Sequence, residues 1–229
     1  MVDITLPFAG TVSAWRQTAR RLLAARIPPE HLHWKIGAAL DIPRLPAEKF
    51  KVRVPERFVH LSDVVGWHDA ADRFALLYRT AWGLRLKPTL LTETNDPDVA
   101  TLITMEQDVL TSLRRFNQRL RLHELPSTTS RRMFAGWCDI QQDPLEIALP
   151  RLRRQLSEFD WVIYTPARAV RSTAQQEFIF RPPERPDLPR NTAHPDWVRW
   201  LQAQEYPAYD LIGPALPPDF QDDCDLVES

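Results

Sequence analysis

The sequence predicts an α/β fold: a mixed sheet with packed helices, a β-α-β opening, antiparallel C-terminal strands and a Pro-rich acidic arm. Three observations predict it. An apolar stripe at helical spacing, Phe74, Leu77, Tyr78, Ala81 and Leu84, runs through the stretch from His68 to Leu86 and marks a central helix. Around that helix, β-rich runs alternate with helical patterns. Nine of the 21 prolines fall in the last 49 residues, where the charge balance also reverses.

Taken in order, Val2 to Leu6 alternate as a first strand. Gly10-Thr11 opens a helix that turns Val12, Trp15, Ala19, Leu22 and Leu23 inward, and Pro28-Pro29 end it. Leu32 to Ile36 read as the second strand, and a short strand is expected at Phe50 to Val54. Pro55 starts a helix buried through Phe58, Leu61, Val64 and Val65. Asp96-Pro97 is a strong start for the next, because Asp caps free amides and Pro is preorganised for the first turn. Its buried face takes Val99, Leu102, Ile103, Val109 or Leu110, Leu113 and Phe116.

From Arg119 to His123 the pattern alternates with period 2, which predicts a strand with Leu120 and Leu122 inward. Arg131 to Trp137 is its expected partner. Asp143-Pro144 repeats the helix start, with Glu146 placed for a capping box. Trp161 to Tyr164, Ala167 to Val170 and Glu177 to Phe180 read as closing strands. The predicted division is a domain over 1–180 and an extended arm over 181–229, anchored by Trp197, Trp200, Leu201, Tyr206 and Tyr209 and ending in an acidic tip at Asp219 to Ser229.

The net charge of −1 hides an asymmetry, with 25 basic and 20 acidic residues in 1–180 against 4 and 10 in 181–229. A basic body suits nucleic acid, and the acidic arm could compete for it. No run approaches the roughly 18 apolar residues of a membrane span, and the N-terminus lacks a signal-peptide pattern, which points to the cytoplasm. Cys138 and Cys224 lie far apart with no Cys-x-x-Cys, so neither a disulfide nor a cysteine metal site is expected. Six glycines form no phosphate-binding fingerprint, and no cofactor is implied.

Four strings carry a resemblance. They are Ala14-Trp15-Arg16 with Ala19-Arg20 and Leu22-Leu23, His68 with Arg73 to Arg79 and Trp82, Asp96 to Val99, and Trp161 to Pro166. From the first helix to Phe180 the chain resembles a bacterial family associated with DNA metabolism. That family occurs as a domain of unknown function fused to uracil-DNA glycosylases, or encoded beside a radical-SAM protein of DNA repair or modification. The resemblance implies DNA and a radical-SAM or glycosylase-type protein as partners.

Two segments depart from the family pattern. Where relatives read like Asp-x-His-Lys-Met and Phe-x-Arg-Phe-Arg, this chain has Ser112, Arg114, Arg115 and Phe116, then Arg119 and Arg121. Where they read like Trp-x-Glu-Pro-x-His-His, it has Trp137 to Asp143. A family site built on those acids and histidines is absent here. A diverged accessory protein of repair or modification is therefore the first functional expectation.

Arg114, Arg115, Arg119, Arg121, Arg131 and Arg132 are the candidate nucleic-acid contacts, since guanidinium groups stay charged and fork onto phosphates. The competing structural reading pairs them with Glu106, Asp108 and Glu124. For an enzyme acting on DNA, the polar residues His68, Asp72, Arg73, Tyr78 and Arg79, retained in the resemblance, are the candidates, although Asp69 and Asp72 at a helix start suit capping better than an acid–base cluster with His68. His31 and His33 alternate on a strand without a third ligand. For a pure interaction module, Trp197 and Trp200 are the anchors.

Overall fold

The computed structural model describes residues 2–42, 52–93, 95–127 and 129–204. It divides into two compact units, one within Met1–Asp108 and one within Val109–Ile212.

The first unit opens as expected. Strands β1 (Val2–Pro7) and β2 (Leu32–Gly37) pair in parallel, joined by helix α1 (Thr11–Ala24). A parallel pair needs such a crossover, and the stripe Val12, Trp15, Ala19, Leu22 and Leu23 is buried where it covers the sheet. Helices α2 (Glu56–Val65) and α3 (Arg73–Leu84) complete the core, which stacks Trp15 on Phe74 and sets Trp34 against Tyr78. Every member of the α3 stripe is buried. Val52 to Val54 form no strand, and Phe50 lies outside the described residues.

Helix α4 (Pro97–Arg119) starts as read: Asp96 Oδ1 accepts the backbone N–H groups of Asp98 and Val99, both at 3.0 Å. Its end differs. The helix continues to Arg119, and Leu120 N–H donates to Phe116 O at 2.9 Å, where alternation predicted a strand. Leu113, Phe116 and Leu120 also satisfy helical spacing, and all three pack in one cluster. Only His123–Leu125 forms the strand, β3.

The second unit is built on a five-stranded mixed sheet ordered β3, β4 (Met133–Trp137), β5 (Asp160–Tyr164), β6 (Ala169–Ser172) and β7 (Glu177–Phe180). β4 and β5 are parallel, with helix α5 (Leu145–Gln155) between them in sequence, and the other pairs are antiparallel. Both faces are covered. Phe116 and the α5 residues Leu145, Leu149 and Leu152 pack with Trp161, Ile163 and Val170. On the opposite face, helix α6 (Pro195–Gln202) lays Trp197 and Leu201 against Trp137, Tyr164 and Phe180. The expected extended arm is thus a helix over part of its length. Its Asp196 sits in a Pro-initiated first turn, and its two apolar anchors lie four residues apart. Tyr206, Tyr209 and the acidic tip lie outside the described residues.

The two carboxylates of the capping box expected at Asp143 to Glu146 converge instead on one arginine. Arg168, 5% exposed, donates to Asp143 Oδ2 at 2.6 Å and to Glu146 Oε1, tying the start of α5 to the β5–β6 turn. No helix among the described residues is long and apolar enough to cross a membrane.

Candidate functional site

The proposed enzymatic residues of the first unit are engaged structurally. His68 Nδ1 accepts the Ala70 N–H at 3.0 Å, and its Nε2 lies 3.7 Å from Asp108. Arg73 donates to the carbonyls of Gly66 and Ala70, both at 2.8 Å. Asp72 takes the N-cap position of α3, but its side chain makes no capping bond. The buried Tyr78 hydroxyl donates to Ile27 O at 2.7 Å, and burial raises its pKa. Arg79 forks onto Asp98, a bond that raises the guanidinium pKa further. These contacts hold turns and helices together, and among the described residues no cluster of three or more metal-ligating side chains exists.

The six arginines of the second unit separate into two sets. Arg131 donates to Asp160 at 2.8 Å and to the carbonyls of Ser157 and Phe159. Arg132 forks onto Glu124 at 2.7 and 2.8 Å, holding that carboxyl below its ordinary pKa, and lies over Phe134 and Phe159. Arg114 bends back to Thr111 and Leu110 on its own helix. Arg115, Arg119 and Arg121 line a groove of about 1240 Å³, and Arg121 Nη1 also donates to Gln118 O and Leu120 O at 3.0 and 3.1 Å. Of the three acids expected to neutralise them, Glu106 pairs with Arg57, Glu124 pairs with Arg132, and Asp108 lies 3.7 Å from His68.

Three chain segments build the groove. The end of α4 and the residues after it supply Ser112, Arg115, Gln118, Arg119 and Arg121. Close packing fixes Arg121, because a Cβ on Gly136 would lie 2.5 Å from the Arg121 carbonyl. The loop leaving β4 supplies Trp137, Cys138, Asp139, Ile140 and Gln141. The groove therefore lies at the carboxyl end of a strand with a parallel neighbour, where α/β sheets commonly place ligands. A strap after β7 supplies Arg185, Asp187, Leu188, Arg190, Asn191 and Thr192.

Prolines 182, 183, 186 and 189 restrict the strap's backbone, and three ties hold it. Arg185 donates to Asp139 at 2.7 Å, Trp197 Nε1–H donates to Pro189 O at 2.8 Å, and His123 Nε2 meets Thr192 O at 2.7 Å. Arg185, Arg190, Asp139 and Asn191 were not among the candidates. The only sequence signal for the strap was its proline density, which reads equally as a mobile arm.

Cys138 lies in the wall as a buried thiol. Desolvation, aided by Asp139 and opposed by Arg119, pushes its pKa up to about 12, so it is no nucleophile at neutral pH. Trp197 and Trp200 belong to the aromatic cluster around Trp137, with Trp197 fully buried, so Trp197 anchors the fold and offers no surface to a partner.

Fold and site together define an α/β protein with a preformed, arginine-lined groove at the edge of a mixed sheet. Residues 71–209 match the family model of a domain of unknown function, DUF4130, and the chain belongs to that family. The match extends past Phe180 through the strap and α6, so all three walls of the groove lie inside the family region. Ser112, Arg115, Arg119, Arg121 and Trp137 to Gln141, all within the two segments where a departure from the family pattern is expected, line the same groove. No curated protein and no solved structure matches the chain.

Proposed function

We propose that this chain binds nucleic acid through the groove of its second unit, as a cytoplasmic accessory protein of DNA repair or modification. One observation carries the reading. Arg115, Arg119, Arg121 and Arg190 line one groove, and none has an ion-pair partner among the described residues. These four guanidinium groups outnumber Asp187, the one carboxylate of the lining not paired with an arginine, so the concavity keeps a net positive charge that a polyanion would complete. The volume of about 1240 Å³ exceeds the roughly 300–1,000 Å³ of small-molecule sites and suits several linked units better than one. The lining holds one aromatic, Trp137, which is only 1% exposed, so contacts to backbone phosphate outweigh base stacking. The resemblance supplies the repair context and a radical-SAM or glycosylase-type partner.

The test is fluorescence anisotropy with labelled single- and double-stranded DNA at two salt concentrations. The full chain should bind with steep salt dependence. Absence of binding to either probe at low salt would falsify the reading.

A further inference from the structure

We infer that Arg185 is the fixed phosphate contact of the groove and that Asp139 is the residue that positions it. The inference rests on the nucleic-acid reading and names the subsite that reading lacks.

Arg185 differs from the other arginines of the groove in being held on three sides. Its Nε–H donates to Asp139 Oδ2 at 2.7 Å, its Nη1 donates to Pro186 O at 3.0 Å, and its guanidinium carbon lies 5.8 Å from the centre of the Trp197 ring. Asp139 is itself fixed, because its Oδ1 accepts the Trp137 Nε1–H at 3.1 Å. Trp137 stacks on both Tyr164 and Trp197 in the core of the unit. A chain of contacts therefore runs from the aromatic core through Asp139 to one guanidinium in the groove wall.

That geometry leaves Nη2 without a partner among the described residues, and the side chain is 33% exposed. With Nε engaged by Asp139, the fork left to take two oxygens of one phosphate is Nη2 with the second N–H of Nη1. An arginine already held in place loses little side-chain freedom when it binds, whereas Arg115 and Arg119, exposed on α4, must be ordered. Arg185 fixes the position of one phosphate. Arg115, Arg119 and Arg121 attract the rest of the strand.

The role of Asp139 can be separated from that of a mere counter-charge by the sign of one effect. Replacing it with Asn removes a negative charge from the groove. If Asp139 only neutralises Arg185, Asp139→Asn tightens anion binding. If it positions Arg185, the same change weakens binding, because an amide cannot hold both the Trp137 and Arg185 N–H groups through two carboxylate oxygens.

The experiment titrates the full-length protein and its Asp139→Asn, Arg185→Ala, Arg185→Lys and Arg115→Ala variants with a labelled single-stranded oligonucleotide and, separately, with tripolyphosphate. Thermal melting confirms that each variant is folded. Arg185→Ala should weaken oligonucleotide binding by about 10-fold or more, beyond Arg115→Ala, because a fork of charge-assisted bonds is lost. Arg185→Lys should not restore it, and Asp139→Asn should weaken binding several-fold. Unchanged or tighter binding by Asp139→Asn, or a smaller loss for Arg185→Ala than for Arg115→Ala, overturns the inference while leaving the nucleic-acid reading intact. If the wild type binds no oligonucleotide, that reading fails by itself. The subsite then stands only if tripolyphosphate binds and both Arg185→Ala and Asp139→Asn lose it, and otherwise falls as well. Should Asp139→Asn not fold, Arg185→Ala and Arg185→Lys decide the point.

Discussion

The two units differ in where their arginines gather. In the first, the guanidinium groups of Arg57, Arg73 and Arg79 are each satisfied by a carboxylate or a backbone carbonyl. In the second, Arg131, Arg132 and Arg168 are satisfied likewise, but Arg115, Arg119, Arg121 and Arg190 face a groove with no acid assigned to them. The contrast teaches that arginine density in the sequence does not mark a binding surface. What marks it is arginine left without a carboxylate partner at one concave surface.

The sharpest way to break this comparison is to remove an arginine the fold uses. Arg168→Ala strands the carboxylates of Asp143 and Glu146, 15% and 11% exposed, without the cation between them. Breaking a buried pair from one side costs about 3–5 kcal/mol, so chemical denaturation should show the variant destabilised by that order, or unfolded. Removing the leftover set should do the reverse. Arg115→Ala, Arg119→Ala and Arg121→Ala combined should leave the melting temperature within about 3 °C of wild type, as surface changes do. The same variant should lose about 100-fold or more in affinity for single-stranded DNA and flatten the salt slope by about 2. A triple variant that melts early but binds normally would reverse the assignment of the two sets.

Which arginines fall into which set was only partly legible. The strands β1, β2, β4, β5 and β7 and the helical stripe of α3 follow from local period, whereas the strand expected at Phe50 to Val54 is absent over Val52 to Val54. Local period failed at Arg119 to His123, where Leu120 fits both a strand alternation and the helical face of Leu113 and Phe116, and packing in one cluster decides for the helix. Arg115, Arg119 and Arg121 were visible because one short stretch carries them. Arg131 looked equivalent, yet its partner Asp160 lies 29 residues on, a separation no spacing rule reaches. Arg185 and Asp139, 46 residues apart, meet for the same reason, and α6 was hidden because nothing local said that Trp197 would find Trp137.

Cys138 extends the comparison to chemistry within the groove wall. Burial raises its pKa to about 12, so the folded state favours the thiol. A raised pKa of this kind contributes stability in full below the unfolded value near 8.5, and the contribution is lost as pH climbs towards 12. In a Cys224→Ser background, iodoacetamide at pH 8.5 should modify the native protein roughly 1000-fold more slowly than the urea-unfolded protein. Comparable rates would show Cys138 exposed and ionised, and with it a groove wall open to a role in catalysis.

The smallest expected effect tests the first unit. Arg79 and Asp98 have side chains 55% and 30% exposed, and a pair that open to water is worth about 0.2–1 kcal/mol. Arg79→Ala should therefore lower stability by no more than that, leave DNA affinity unchanged, and leave the salt slope where it was. Arg79 lies within the family region and was a candidate for chemistry on DNA, which is why unchanged binding is informative: it would assign Arg79 to the tie between α3 and the start of α4. A loss of affinity as large as that of the groove variants would instead mean that the first unit touches DNA, and that the two sets of arginines are not separated by their pairing.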